Sequence, residues 1–316
     1  MAFDTWISTH ELPIRLGCFF GIFAAMALWE IASPRRVLTQ PKMSRWANNV
    51  GLVFFNSIIL RLVFPAAAVG MALFAREHGW GVFNYFAVPA AVAVIASVVV
   101  LDFFIYLQHV MIHAVPALWR LHRVHHADMD IDVTTGARFH TLEILLSMVI
   151  KFAVIVILGP PVAAVILFEV VLNATSMFNH SNVRLPASVD RVLRWFVVTP
   201  DMHRVHHSVH SDETNSNFGF NLPWWDYLLG TYRAQPRGGH EAMQIGITTF
   251  RDSRHCTWLT GLLSMPFIGP VLDYPINRRA WDTATIRSRT DDLTRAAVEG
   301  DPRGDDAPSE PRPPRR

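Results

Sequence analysis

With 316 residues, 51% of them hydrophobic and 17% charged, and a mean hydropathy of +0.24, the chain is too apolar for an ordinary soluble enzyme. A net charge of +2, with no basic stripe interleaved with aromatics, argues against nucleic-acid binding. Cys18 and Cys256 lie far apart and suggest neither a metal motif nor a disulfide framework, so membrane embedding is the natural reading.

A hydrocarbon core about 30 Å thick needs roughly 20 helical residues to cross it. Residues 16–31 are the first candidate. They lack a basic leader and are followed by Arg35, Arg36, Lys42 and Arg45, so they read as an uncleaved anchor whose C-terminal end is cytoplasmic. Residues 50–75 follow, interrupted by Asn56 and Arg61. Either Arg61 faces a polar interior, or only the second half of the segment enters the membrane. Residues 85–107 form a good span that runs into HVMIH, with His109 and His113. By alternation of sides, this first histidine box emerges in the cytoplasm.

Next comes HRVHH, with His122, His125 and His126, and the same pentapeptide returns as His203, His206 and His207. On a helix, spacings of three and four put side chains on one face about 5–6 Å apart, close enough to share a metal ion. Between the two pentapeptides, residues 144–178 are apolar but broken by Gly159, Pro160 and Pro161, which cannot continue a helix. The arms of 15 and 17 residues fit a helical hairpin that returns to its own side, which lets the flanking boxes meet. Lys151 and Glu169 lie nine residues either side of Pro160, hence at one depth; pairing is the economical way to carry both there, and snorkelling to the interface or facing a water-filled cavity is the alternative.

After the third box, residues 215–232 (NSNFGFNLPWWDYLLGTY) read as an aromatic loop capping the site at the membrane surface. Residues 258–272 read as an interfacial segment. From Asp301 the chain is Pro-rich and charged. The expected organisation is one membrane-embedded domain over residues 1–282 and a disordered tail over 283–316. The expected fold is an all-α integral membrane protein, with about four transmembrane or hairpin segments and a di-metal site on the cytoplasmic face.

Imidazole suits zinc, copper, iron and nickel alike, so ligand type does not choose the metal. A structural zinc site closes with four ligands, whereas eight clustered histidines can supply two metals, which favours a dinuclear centre. No HExxH motif, CxxC pair or carboxylate-rich ExxH helix is present. The isolated His10, His78, His240 and His255 read as ordinary structural residues. A divalent-metal transporter is the alternative function, but transporters hold ligands near the midplane of repeated halves, and here the boxes end apolar runs. A bis-histidine haem protein would need only isolated facing histidines.

The run DFFIYLQHVMIHAVPALWRLHRVHHADMD, then GARFH, FNHSN, TPDMHRVHHSVH and WWDYLLGTY, resembles the fatty acid hydroxylase/sterol desaturase superfamily, in order from Asp102 to Tyr232. Members often carry Arg after the first histidine, where this chain has Val110. The resemblance implies an O2-dependent oxygenase with two iron ions, hydroxylating or desaturating a fatty acyl chain, sterol or membrane lipid. It implies that the catalytic metal ligands are His109, His113, His122, His125, His126, His203, His206 and His207. His180 in FNHSN is the ninth, and His140 in GARFH is a tenth ligand or a residue supporting one. Asp102, Asp201 and Asp226 are candidates to orient these histidines through their other ring nitrogen. No Rossmann, haem-attachment or flavin signature is present, so a separate reductase or small electron carrier is expected. The host membrane would be the inner membrane of a bacterium or the endoplasmic reticulum of a eukaryote, with the site facing the cytoplasm.

Overall fold

The computed structural model describes residues 6, 7 and 9–271, and the expected tail over 283–316 lies outside them. The framework is helical: α1 (Glu11–Ala32), α2 (Lys42–Val63), α3 (Ala67–Glu77), α4 (Ala90–Ala114), α5 (Pro116–His126), α6 (Thr141–Leu158) and α7 (Val162–Asn179). Two further helices, α8 (Pro200–His206) and α9 (Trp224–Leu229), follow among short turns. No β-strand forms among the described residues, only isolated bridges at Pro34–Val183 and Ser208–Ile245.

Five stretches are long and apolar enough to cross a membrane: α1, residues 42–85 with α2 and α3, then α4, α6 and α7. The segments read from the sequence reappear, with the hairpin counted as its two arms. Helix α2 runs unbroken through both polar interruptions. Asn56 is buried, donating to the Phe139 carbonyl (2.8 Å) and accepting from the Thr141 hydroxyl (2.6 Å). Arg61, in the last turn, is exposed, so it does not face a polar interior.

Proline sets several helix starts: Pro89 and Pro161 precede α4 and α7, and Pro116 and Pro200 open α5 and α8. At that first position the missing N–H is not needed. The hairpin turns at Gly159, whose left-handed φ of +64° closes α6. A side chain there would drive into the Trp80 carbonyl at 2.7 Å, so glycine is required twice over. Ala68 and Ala72 of α3 let it approach Ile155 and Val165 closely, making a core of α3, α4, α6 and α7.

Lys151 Nζ lies 2.7 Å from Glu169 Oε1, the pair expected from their equal distance to Pro160. The fold adds a partner that the hairpin alone does not reveal: Arg15 of α1 meets the other oxygen at 2.8 Å. Lys151→Met alone therefore leaves Glu169 paired, and only a small loss of folded yield is expected. Arg15→Met with Lys151→Met should lower yield by more than the sum of the singles. An uncompensated charge at a span centre costs about 2.5–3.5 kcal/mol. Adding Glu169→Gln should restore it; additive singles with no rescue would contradict the triad.

Residues 258–271, expected as an interfacial segment, pack one face onto the core. Leu262 and Met265 are fully buried with Leu52, Trp119 and Val124, leaving Trp258 and Phe267 facing outward. Arg123 of the first HRVHH binds this segment, donating to the carbonyls of Met265, Ile268 and Pro270.

Candidate metal centre

His109 and His113 occupy the last two turns of α4, four residues apart on one face. The chain breaks at Val115 and Pro116, and α5 packs back on α4, bringing His122, His125 and His126 over that face. His180 closes α7. Thr199 caps α8 by accepting from the Met202 N–H, and α8 carries His203 and His206 with His207 just past its end.

These nine buried histidines fall into two groups. His109, His113, His122, His126 and His206 offer ligand atoms all within 4.8 Å of one another, as do His125, His180, His203 and His207. The groups adjoin, with His126 and His207 stacked at 4.6 Å and 18°. Each HRVHH is divided between them. In the first, the outer pair His122 and His126 joins one group and His125 the other; in the second, His203 and His207 pair and His206 crosses over. Helical geometry explains the division, because residues four apart stay nearly in line while the residue at three is turned to the other side.

The nitrogens are arranged as metal ligands require. His109 Nε2 and His122 Nε2 are 3.1 Å apart, and His180 Nε2 is 3.0 Å from those of both His125 and His203. Two imidazole nitrogens about 2.1 Å from one metal, at angles of roughly 90–109°, are about 3.0–3.4 Å apart. The Nε2 atoms of His113, His126 and His206, and both nitrogens of His207, are buried without a partner among the described residues. Orphaned buried acceptors are costly, and a cation at each group would satisfy them.

Several outward nitrogens are engaged. His109 Nδ1 donates to the Phe218 carbonyl (2.9 Å), His180 to Ser176 (2.8 Å), His206 to Ser216 (2.8 Å) and His125 to Arg138 (3.2 Å). A carbonyl can only accept, so each Nδ1 carries the proton and each Nε2 keeps its lone pair facing inward. His122 Nδ1 donates to Glu143 Oε1 at 2.7 Å. Burial, reinforced by neighbouring imidazoles, holds His125, His126, His203 and His207 well below the usual histidine range, and His180 and His206 at about 3.

That depression has a sign. In the unfolded chain these histidines take up protons near pH 6.5, whereas in the folded site the group as a whole resists protonation, His180 and His206 down to about pH 3. Stability of the metal-free protein should therefore fall as pH drops below about 6.5 and level off near 3. Thermal unfolding at pH 7.5, 6 and 5 tests this, and a flat profile would contradict it.

His140 stands outside both groups. Its Nδ1 caps α6 by accepting from the Leu142 N–H, and its Nε2 lies 3.3 Å from the Leu263 carbonyl. The three aspartates proposed to orient histidines do other work. Asp102 accepts from the Asn221 and Leu222 N–H groups and from Trp225 Nε1 (2.8 Å). Asp226 accepts from the Phe218 and Gly219 N–H groups (both 2.8 Å) and the Thr231 hydroxyl. Both anchor the 215–232 loop, and Asp226 acts on the site only through the Phe218 carbonyl. Asp201 pairs with Arg35 and Arg204. The carboxylate that does reach a clustered histidine, Glu143, was not singled out in the sequence; its only signal is its place three residues past the capping His140.

Aromatic rings wall the site. Phe139 stacks on His125 at 4.5 Å and 11°, while Phe218 packs edge-on to His109, His113 and His206. The 215–232 loop is thus a lid on the histidines, as its composition suggested.

Residues 94–231 match the family model described as fatty acid hydroxylase. The chain is 32% identical over 160 residues to an ornithine lipid hydroxylase, OlsE, of Rhizobium tropici, covering 51% of this chain and 47% of that protein. It is 27% identical over 188 residues to the alkylglycerol monooxygenase of Xenopus tropicalis (54% and 40%). It is also 27% identical over 146 residues to the cholesterol 25-hydroxylase of Rattus norvegicus (45% and 47%). The matched part spans less than half the length of each of these relatives. No solved structure matches. Residues 94–231, which carry all nine clustered histidines, are thus similar to the fatty acid hydroxylase family.

Proposed function

We propose that this chain is a membrane-embedded di-iron oxygenase that hydroxylates a lipid, using O2 as co-substrate and electrons from a separate reductase or small carrier. The observation that carries this reading is the pair of adjoining histidine groups with inward lone pairs. The relatives named as lipid hydroxylases and monooxygenases support it. Iron bound there supplies O2 activation for insertion into an unactivated C–H bond, chemistry that side chains cannot perform.

The chain's own residues do the rest. Nine imidazoles form the two ligand sets. The carbonyls of Phe218, Ser176, Ser216 and Arg138 fix the tautomers of His109, His180, His206 and His125, and Glu143 orients His122. Phe139, Phe218 and Phe220 exclude bulk water from the histidine face. His140 is a helix cap rather than a ligand. Arg35, Arg36, Lys42 and Arg45, following α1, support a cytoplasmic site, since acidic partners count little in that bias.

The test is metal analysis of the purified chain together with comparative lipidomics of cells with and without it. About two irons per chain and a lipid gaining 16 mass units are expected. A loss of 2 mass units would mean desaturation. An exchanging divalent ion with no lipid change would mean transport and end this reading.

A further inference from the structure

Two cavities open on the α1–α2 hairpin, whose helices lie outside the family-matched residues 94–231. One is apolar, about 660 Å³, and lies between the helices, lined by residues such as Phe19, Phe23, Val53 and Phe54. From Asn49 to Leu60 it follows α2 for about 17 Å, close to the depth of one leaflet of a roughly 30 Å hydrocarbon core. The other, about 600 Å³, surrounds the turn joining the helices and carries charged side chains, with Arg35, Arg36, Lys42 and Arg184 against Glu30 and Glu241.

The charges in this cleft do not balance. Arg35 and Arg184 are committed to Glu241, and Arg35 also to Asp201. Arg36 and Lys42 form no ion pair among the described residues. Arg36 reaches only the His240 carbonyl and leaves Nε buried without a partner, and Lys42 lies over the Trp46 ring at 4.6 Å. Trp46 in turn packs on Phe23 of the apolar cavity at 5.5 Å. A tryptophan at this threshold, charge above and apolar space below, is in its preferred place at a membrane interface.

We propose that the α1–α2 hairpin holds an anionic lipid, its phosphate or carboxylate head against Arg36 and Lys42 and its acyl chain in the apolar cavity. A smaller cavity of about 190 Å³ shares Phe19, Val53 and Ser57 with the larger one and ends on Phe139 and Phe220. Those two rings face His125 at 4.5 Å and His180 at 6.3 Å. The chain's carbons thereby reach the wall of the metal site, and residues of α1 and α2 set which lipid is presented. Only the identification of this lipid as the substrate rests on the oxygenase reading.

The test uses the full chain in detergent, given phosphatidylglycerol and phosphatidylcholine in equal amounts, with retained lipid measured by mass spectrometry and bound metal measured alongside. Wild type should retain phosphatidylglycerol about tenfold over phosphatidylcholine. Arg36→Gln with Lys42→Gln should bring that ratio within twofold while total lipid is kept, and Val53→Trp should lower retention of both lipids at least fivefold. Unchanged metal content in the variants reports an intact histidine cluster. An unchanged ratio in the double variant overturns the head site, and wild-type retention in Val53→Trp overturns the chain site. If inorganic phosphate abolishes the preference without altering total lipid, the cleft takes a free anion and the lipid proposal fails. Cleft-dependent retention in a protein that binds no iron would sink the oxygenase reading alone. Iron and hydroxylation with lipid retention indifferent to both sets of variants would sink this inference alone.

Discussion

Alanine at His203 is expected to reduce lipid hydroxylation more than about 100-fold and to lower metal content from about two ions per chain toward one. Loss of a residue that merely orients a ligand already costs about 10–100-fold, and His203 is one of four nitrogen donors in its group among the described residues. His122→Ala should act on the other group with similar severity. Glu143→Gln keeps the shape but weakens the acceptor for His122 Nδ1, so a 10–100-fold loss of metal affinity confined to one ion is expected. His140→Ala should leave metal content unchanged, because that ring caps α6 and faces the Leu263 carbonyl. Metal analysis and turnover on the same preparations decide the matter. Wild-type metal and activity in a variant lacking His122, His125, His203 and His206 together would end the dinuclear reading.

Arg45→Met is expected to destabilise the folded chain by about 3–5 kcal/mol, the cost of breaking a buried ion pair from one side. Arg45 is 0% exposed and forks onto Asp128 with two bonds of 2.8 Å, while its remaining nitrogen meets Asp132 at 2.6 Å. Burial alone would raise Asp128, but Arg45 and Arg138 override it and hold that carboxyl below its ordinary range. Removing the guanidinium leaves buried Asp132 without a cation among the described residues and Asp128 with only Arg138, 3.8 Å away. Arg45→Lys cannot reproduce the fork and should fall between the two. Asp128→Asn with Asp132→Asn should recover much of the Arg45→Met loss. Chemical or thermal unfolding of the three variants measures the effect, and a loss under 1 kcal/mol for Arg45→Met would show that the network is dispensable.

The arginine case illustrates how far local reading carries. In the sequence, Arg45 belongs to a positive cluster that orients a span; in the fold it is the buried hub of the residue 128–132 loop. Alternating Asp128, Asp130 and Asp132 were visible, but nothing local pairs them with a residue more than eighty positions earlier. Asp130 likewise holds the Thr39 and Gln40 N–H groups. Asp102, Asp201 and Asp226 were plausible supports for histidines because carboxylates often are, yet each found backbone or arginine partners first. Glu143 took that part because α6 begins beside His122. Arg15 was invisible as a partner of Glu169 because only the packing of α1 on α7 brings it there.

Sequence alone determined the apolar helices, the break at Gly159–Pro161, the opposed Lys151 and Glu169, and eight of the histidines that cluster. Each rests on short-range regularity: helical spacing, the backbone limits of proline and glycine, and the length needed to cross a bilayer. Tertiary structure alone decided how the nine histidines divide, five and four, with each HRVHH split between the groups. It also decided which outward nitrogen meets which carbonyl, and that His140 is turned away from both groups. The physical reason is that a side chain's direction follows from its own helix, whereas its partner is supplied by whichever distant segment the apolar packing brings alongside.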